Sequence, residues 1–394
     1  MAKVFISALG TGKYEVCKYG FDNTEIYEAK YVQEAAIRNF CKEWGDNDRI
    51  LIFCTQKAEE THWCELFDAI KNITKAKIEK IKISDGKNEK EIWDIFNSFC
   101  ECIKTEDELY IDITHGLRSI PMLIMVAVSY VNILKNAEVK NISYGAYEMK
   151  DSSNNLAPVF DLTPFYRLMR WTNATKDFIN YGKTEPLMKL LPKYEQSLYN
   201  LNKVILSNNI SKIKDLKNIN INTFNADEKF EKPFIPLIEK IKEKTKNFKQ
   251  DNTENFLPAT KWCIDHELYQ NAYSILLEGL FSYIFEKTEC SISKDMKKII
   301  SISAVVHSKS NKDALETFLL NYECKDEKKT EVKKILQKVW NIIDNTDIVG
   351  CMVKLIKERN DFMHGNFESD INKLKKSINE HYKTIKNWVE KSCL

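Results

Sequence analysis

Two short stretches of this chain place side chains where they could handle a phosphodiester. One is Glu358-Arg359-Asn360-Asp361-Phe362-Met363-His364-Gly365. A guanidinium can fork onto a phosphate, and an imidazole can move a proton near neutral pH. His364 lies five positions after Arg359, which is about 140° around a helix, so the two do not stack on one face. A composite site built from two facing copies of the helix is the easier geometry. Paired arginines and histidines can hold an RNA phosphate, align the neighbouring 2′-hydroxyl for in-line attack and shuttle protons, cleaving to a cyclic phosphate without metal. RNA is then a substrate and DNA is not, because the 2′-hydroxyl is the nucleophile. Asn360 could hold a phosphate or orient the histidine. Gly365 suits a C′ position, which puts His364 at a helix C-terminus where the dipole favours imidazolium. The same residues admit a purely structural reading, in which Arg359 pairs with a nearby acid and His364 caps the helix.

The second stretch is Asp112-Ile113-Thr114-His115-Gly116-Leu117-Arg118-Ser119-Ile120-Pro121. Ser119 can cap the helix that follows and Pro121 suits its first turn, so the exposed amides of that helix would face whatever sits above the loop. Arg118 can fork onto phosphate, His115 can hydrogen-bond or stack on a base, and Asp112 is better placed to brace the loop. Equally, His115 and Arg118 could do no more than pin the loop to the sheet. Two further loops share this rim. In Leu9-Gly10-Thr11-Gly12-Lys13 the glycines Gly10 and Gly12 allow close backbone approach, while Thr11 and Lys13 could donate to phosphate or base. In Cys54-Thr55-Gln56-Lys57 a threonine and a lysine, Thr55 and Lys57, face the same way.

The elements that must position these loops follow from hydrophobic period. Strand-like runs occupy Lys3–Ala8, Ile50–Cys54, Ile78–Ile83, Leu109–Ile113, Val139–Ala146 and Val159–Leu162, and helical spacing fills Ala29–Trp44, Ala58–Ile73, Lys90–Ile103 and Ser119–Leu134. Such alternation predicts an α/β, Rossmann-like domain with a mostly parallel sheet, whose ligands lie beyond the carboxyl ends of the strands. Tyr14–Tyr19 and Thr24–Glu28 read as an inserted hairpin. After Asp161 the texture becomes helical, and no glycine occurs between Gly182 and Gly279. The expected organisation is a Rossmann-like ligand-sensing domain over 1–162, a connector helix over 163–182 capped by Leu162-Thr163-Pro164, and an all-α domain over 183–394. Trp262–Glu286 and Ile348–Met363 read as amphipathic core helices; Ser207–Thr223 receives no function.

Composition narrows the field. Of the 394 residues 43% are hydrophobic, enough for two or three cored domains, and 59 basic against 57 acidic side chains leave a net charge of +2. That balance excludes a protein held on nucleic acid by a whole-surface basic field. The apolar run Ile120–Leu134 is too interrupted to span a bilayer and reads as a buried helix; no membrane association is expected. No basic-then-apolar leader precedes Val4-Phe5-Ile6, so a cytoplasmic protein is expected. Eleven cysteines without a Cys-x-x-Cys pair suggest free thiols rather than disulfides or zinc. Neither a Walker-type loop nor a dinucleotide fingerprint is present.

Together the two stretches resemble the ancillary ribonucleases of type III CRISPR systems, which join an N-terminal CARF domain to a C-terminal HEPN domain. Asp112 to Pro121 is similar to the CARF signature, and Arg359 to His364, with Asn360 as the polar residue, to the HEPN pattern. Supporting similarity covers Gly10-Thr11-Gly12, Asp161-Leu162-Thr163-Pro164 and Glu267–Gly279, and leaves out roughly Lys189–Asn255. The resemblance implies a homodimer, or a higher homo-oligomer, that binds a cyclic oligoadenylate as its activator, needs no cofactor, and cleaves single-stranded RNA in antiviral defence. Thr11, Gly12, Thr114, His115, Gly116 and Arg118 become ligand contacts, Arg359 and His364 catalytic. Some relatives also degrade their activator, so an activator-degrading ring nuclease or pure sensor with a silent HEPN site stands as the alternative. A HEPN toxin or antitoxin unrelated to CRISPR would leave the Rossmann-like half unexplained.

Overall fold

The computed structural model describes residues 1–21, 25–115, 120–217, 232–289, 326–343, 346–363 and 370–391. The chain forms two compact units, Met1–Met169 and Arg170–Leu394.

The first unit is an eight-stranded sheet: β1 (Lys3–Leu9), β2 (Cys17–Phe21), β3 (Ile26–Ala29), β4 (Arg49–Cys54), β5 (Lys77–Lys82), β6 (Glu108–Asp112), β7 (Glu138–Gly145) and β8 (Leu156–Asp161), in the spatial order β3-β2-β8-β7-β6-β1-β4-β5. β1 pairs in parallel with β4 and β6, as do β4 with β5, β6 with β7 and β2 with β8; β2–β3 and β7–β8 are antiparallel. The Rossmann-like expectation is met, and the inserted hairpin joins the far edge beside β8 rather than standing apart. β1 is buried on both faces. Val4, Ile6 and Ala8 pack into one apolar cluster with Leu51, Phe53 and Ile111, while Phe5 and Leu9 pack into the other with Ile50 and Ile52. Alternate residues thus point to opposite faces, each covered by helices, as a parallel sheet requires. The chain visits β4 and β5 on one side of β1, then crosses to β6 on the other. The carboxyl ends of β1 and β6 therefore flank a topological switch point, where open α/β sheets bind ligands.

Helices α1 (Val32–Phe40), α2 (Gln56–Ala58), α3 (Cys64–Ile70), α4 (Glu89–Cys102) and α5 (Ile120–Lys135) cover the sheet. The helix read as continuous from Ala58 to Ile73 is interrupted by a π-helical turn at Glu59–Trp63. α5 departs from the expectation of a buried helix. Ile124, Ala127, Val128 and Val131 are buried, but Met122, Val126, Tyr130 and Ile133 lie exposed along the opposite side. One sheet face can cover only one stripe of a helix, however apolar the helix is all round.

The second unit is helical. α6 (Thr163–Tyr181) carries the chain into it, followed by α7 (Glu185–Leu190), α8 (Glu195–Ser207), α9 (Ile235–Thr245), α10 (Phe256–Asp265), α11 (Tyr269–Lys287), α12 (Asp326–Ile342), α13 (Thr346–Met363) and α14 (Ile371–Lys391). The start of α6 is tied to the sheet. The Thr163 hydroxyl accepts from the Ile142 amide of β7 at 2.9 Å, and Asp161 takes the Thr163 amide at 2.9 Å. At its other end α6 stops at Gly182, whose φ of +68° suits a residue without Cβ. The stretch Trp262–Glu286, expected as one amphipathic helix, is two helices, with Glu267 in a left-handed conformation between them. Of the 19 residues of α11, 13 are buried, so it is the unit's central rod rather than an amphipathic face. α10 lies so close against it that a Cβ on Gly279 would come within 2.2 Å of the Phe256 Cβ.

Candidate functional site

The rim above β1 and β6 is organised around Tyr14. This side chain folds back from the glycine loop, and its hydroxyl accepts the Gly10 N–H at 2.8 Å. Its ring packs at 4.8 Å between centroids against each of Tyr31, His62 and His115. Burial pushes the Tyr14 phenol up, so it stays neutral. His62 comes from the π turn. Its Nε2 is 2.9 Å from the Gly12 carbonyl, which can only accept, so this nitrogen carries the proton and Nδ1 faces the Tyr31 hydroxyl at 3.4 Å. Burial lowers the His115 pKa, against the opposing pull of Asp112, and so favours a neutral imidazole. Gln33 is fully buried beneath; its Nε2 donates to the Ala8 carbonyl at 2.8 Å and its Oε1 has no partner.

Asp112 braces the loop from the strand end. Its Oδ2 accepts from Ser7 at 2.6 Å, and its Oδ1 accepts from the Thr114 amide at 3.1 Å and hydroxyl at 2.5 Å. The Thr114 hydroxyl in turn accepts the Gly145 N–H at 2.7 Å. Thr114 is thereby engaged in holding the loop before any ligand arrives. Thr55 is similarly engaged, capping α2 by accepting from the Ala58 amide at 3.3 Å. Lys13 reaches outward to Glu15 at 3.3 Å, and Thr11, Gly12 and Lys57 are exposed. Gly116, Leu117, Arg118 and Ser119 lie outside the described residues.

In the helical unit, Arg359 sits near the end of α13 with its side chain about one-third exposed. Its Nη1 donates to the Asn360 amide oxygen at 3.3 Å, its Nη2 lies 3.8 Å from Glu278 of α11, and its buried Nε has no partner. The guanidinium is oriented but has donors to spare. Beside it, Glu358 anchors α13 to two other helices. One carboxylate oxygen accepts from Tyr273 of α11 at 2.8 Å and from Ser377 and His381 of α14 at 2.6 and 3.2 Å. Burial alone would raise this carboxyl's pKa, but the hydrogen bonds from His381, Ser377 and Tyr273, with the His381 charge, hold it at about 2. The other His381 nitrogen is 3.3 Å from Cys351, whose thiol burial pushes up to about 11. His364 and Gly365 lie outside the described residues.

Residues 4–150 match the family model described as CRISPR system endoribonuclease Csx1, CARF domain. Residues 167–253 match that of CRISPR-associated protein MJ1674, second domain. Over 210 residues the chain is 30% identical to CRISPR-associated protein MJ1674 of Methanocaldococcus jannaschii, a stretch covering 50% of this chain and 33% of that protein. Residues 4–150 thus form a domain similar to the CARF domain of CRISPR ancillary proteins. It spans about a third of the length of the curated relative it matches. Lys189–Asn255, which the sequence resemblance left out, falls largely within the match to the second MJ1674 domain.

The CARF unit gathers Gly10, Gly12, Thr114 and His115 around one rim, with Thr55 and Lys57 following β4 on the other side of β1. Sequence reading missed Tyr14, His62 and Gln33, which complete that rim. The signals for them were an aromatic residue four positions beyond Gly10 and a histidine within two turns of the β4 carboxyl end. It also missed Glu358 and His381 in the helical unit. The acid directly before Arg359 was visible, but its partners lie 19 to 85 positions away.

Proposed function

We propose that this CARF protein is a cyclic-oligoadenylate-activated, metal-independent endoribonuclease that cleaves single-stranded RNA in type III CRISPR antiviral defence. The observation that carries the reading is the partly exposed Arg359 with an unpartnered Nε, seated on a helix locked by the Glu358 network, in a chain that also bears a CARF unit. Arg359 would grip the phosphate and His364 would move the proton, with Asn360 holding the guanidinium. A homodimer supplies two such sets, and the twofold ligand binds at the paired CARF rims. The exposed stripe Met122, Val126, Tyr130 and Ile133 on α5 supports a second copy packing beside the ligand loops, since α5 leads out of one of them. The activator's tighter binding to the active arrangement would provide the coupling free energy.

The test incubates purified protein with single-stranded RNA in EDTA, with and without cyclic tetra- and hexa-adenylate. Activator-dependent cleavage, abolished by Arg359→Ala and by His364→Ala, is expected. No cleavage with any ring, or undiminished cleavage by His364→Ala, overturns the proposal. A sensor or activator-degrading ring nuclease with a silent HEPN site is the second reading, favoured by the three titratable side chains Tyr14, His62 and His115 gathered at the rim. It predicts intact RNA and, for the nuclease form, linearised activator after prolonged incubation.

A further inference from the structure

The helical unit contains a second feature built for an anion. A cleft of about 640 Å³ opens between α9, α10, α14 and the segment joining α9 to α10. Six lysines line it, and three are neutralised where they stand: Lys240 by Glu243, Lys261 by Asp265 and Lys386 by Glu390. Lys244, Lys246 and Lys249 have no acidic partner within 4 Å among the described residues. Lys244 is the telling one. It is half-buried over the Trp262 ring at 5.3 Å, and burial lowers its ammonium pKa against the distant pull of Asp265. Holding a partly desolvated cation without a counter-ion opposes folding, and an anionic ligand removes that penalty.

The cleft is also preformed. The fully buried Asn255 donates through its Nδ2 to the carbonyls of Ile213, Leu216 and Lys249 and accepts the Lys249 amide at 2.8 Å. This fixes the segment that carries Lys246 and Lys249 before any ligand binds. α14 links the cleft to the Arg359 region. Ser377 and His381 on this helix hold Glu358, and Tyr382, next to His381, and Lys386, about one turn beyond it, line the cleft. Trp262 is only 3% exposed, so its ring offers no platform for a base, and the unpaired lysines suit the cleft to phosphates.

We infer that this cleft, which Arg359 does not line, is a sequence-independent binding track for the phosphodiester backbone of single-stranded RNA. The identity of the occupant as substrate RNA rests on the proposed ribonuclease reading; the cleft's binding of a polyphosphate backbone does not. The experiment measures fluorescence anisotropy of a short RNA, 2′-O-methylated throughout so that it cannot be cleaved, against the full chain over a range of salt. Lys246→Ala with Lys249→Ala should flatten the plot of log affinity against log salt by about 1.4, roughly 0.7 for each phosphate left without its lysine. Lys244→Met should flatten it by a further 0.7 or so while leaving thermal stability unchanged or raised. Unchanged slopes in both variants overturn the inference, as do substitutions that weaken binding of an acidic peptide but not of RNA. If wild-type protein cleaves no RNA yet the slopes fall as stated, the ribonuclease reading fails and the binding track stands.

Discussion

Replacing Glu358 by Gln isolates the charge that ties α13 to α11 and α14 while preserving shape. The carboxyl is held at about 2 in the folded protein against an ordinary 4.5. Undiminished, that difference corresponds to about 3 kcal/mol of stability at neutral pH. The side chain is 28% exposed, so solvent screening brings the expected value down to about 2 kcal/mol. A depressed carboxyl contributes fully above its unfolded pKa and loses its contribution as pH falls through the folded value. Wild type should therefore exceed Glu358→Gln by about 2 kcal/mol from pH 7 down to about 5, by about half of that near pH 3, and by little below about 2. Urea titrations read by hydrogen exchange in peptides from Thr346–Met363 and Ile371–Lys391 report this locally, without requiring both units to unfold together. A wild-type advantage that is flat between pH 7 and about 2.5, or absent at pH 7, refutes the assignment of Glu358 as the charged hub. Because Arg359 follows directly, the same variant should also slow RNA cleavage while leaving affinity for the uncleavable RNA intact.

Three further substitutions probe other links between sequence and fold. Arg49→Met strands Asp107, which is 2% exposed and bonded to the guanidinium at 2.5 Å; a loss of about 3–5 kcal/mol in urea titrations is expected, largely recovered by adding Asp107→Asn. Gly279→Ala brings a methyl within 2.2 Å of the Phe256 Cβ, so the α10–α11 pair must separate; the strain of about 1–3 kcal/mol exceeds the gain in helix propensity of up to about 1, and the melting temperature should fall. Tyr14→Phe frees the Gly10 amide, and calorimetry should show severalfold tighter binding of cyclic oligoadenylate, in line with about 1 kcal/mol for one hydrogen bond no longer displaced. Weaker binding would instead make the phenol part of the ligand's own hydrogen-bonding set.

Periodicity sufficed for the core of the CARF sheet because β1, β4, β5, β6 and β7 are short runs carrying Val or Ile, so local sequence alone distinguishes Arg49–Cys54 from Val32–Phe40. It failed where tertiary contacts decide. Hydropathy rates the outer face of α5 as highly as the inner one, yet Ile133 is 84% exposed while Val131 is buried. The break between α10 and α11 rests on Glu267 at φ +60°, a conformation that a glutamate does not announce. In the candidate site, the loops were legible because glycine, threonine and arginine cluster after strands. Tyr14 and His62 were not, because their role depends on a π turn swinging a histidine toward a loop 50 positions earlier.

Both candidate sites share one physical arrangement. In each, a buried or half-buried carboxylate gathers hydroxyl or imidazole donors: Asp112 from Ser7 of β1 and from Thr114 two residues on, Glu358 from Tyr273, Ser377 and His381 of two other helices. Neither carboxylate is itself exposed enough to meet a large ligand freely. Each instead fixes the backbone just before the group that does, Thr114 preceding His115 and Glu358 preceding Arg359. A charge-assisted network of this kind holds its oxygen acceptors with short bonds in a low-dielectric setting, so the adjacent side chain keeps its orientation while its own donors stay free. Removal of the carboxylate should then disorder the neighbouring group before it unfolds the unit, and chemistry at either site should fail at smaller perturbations than stability.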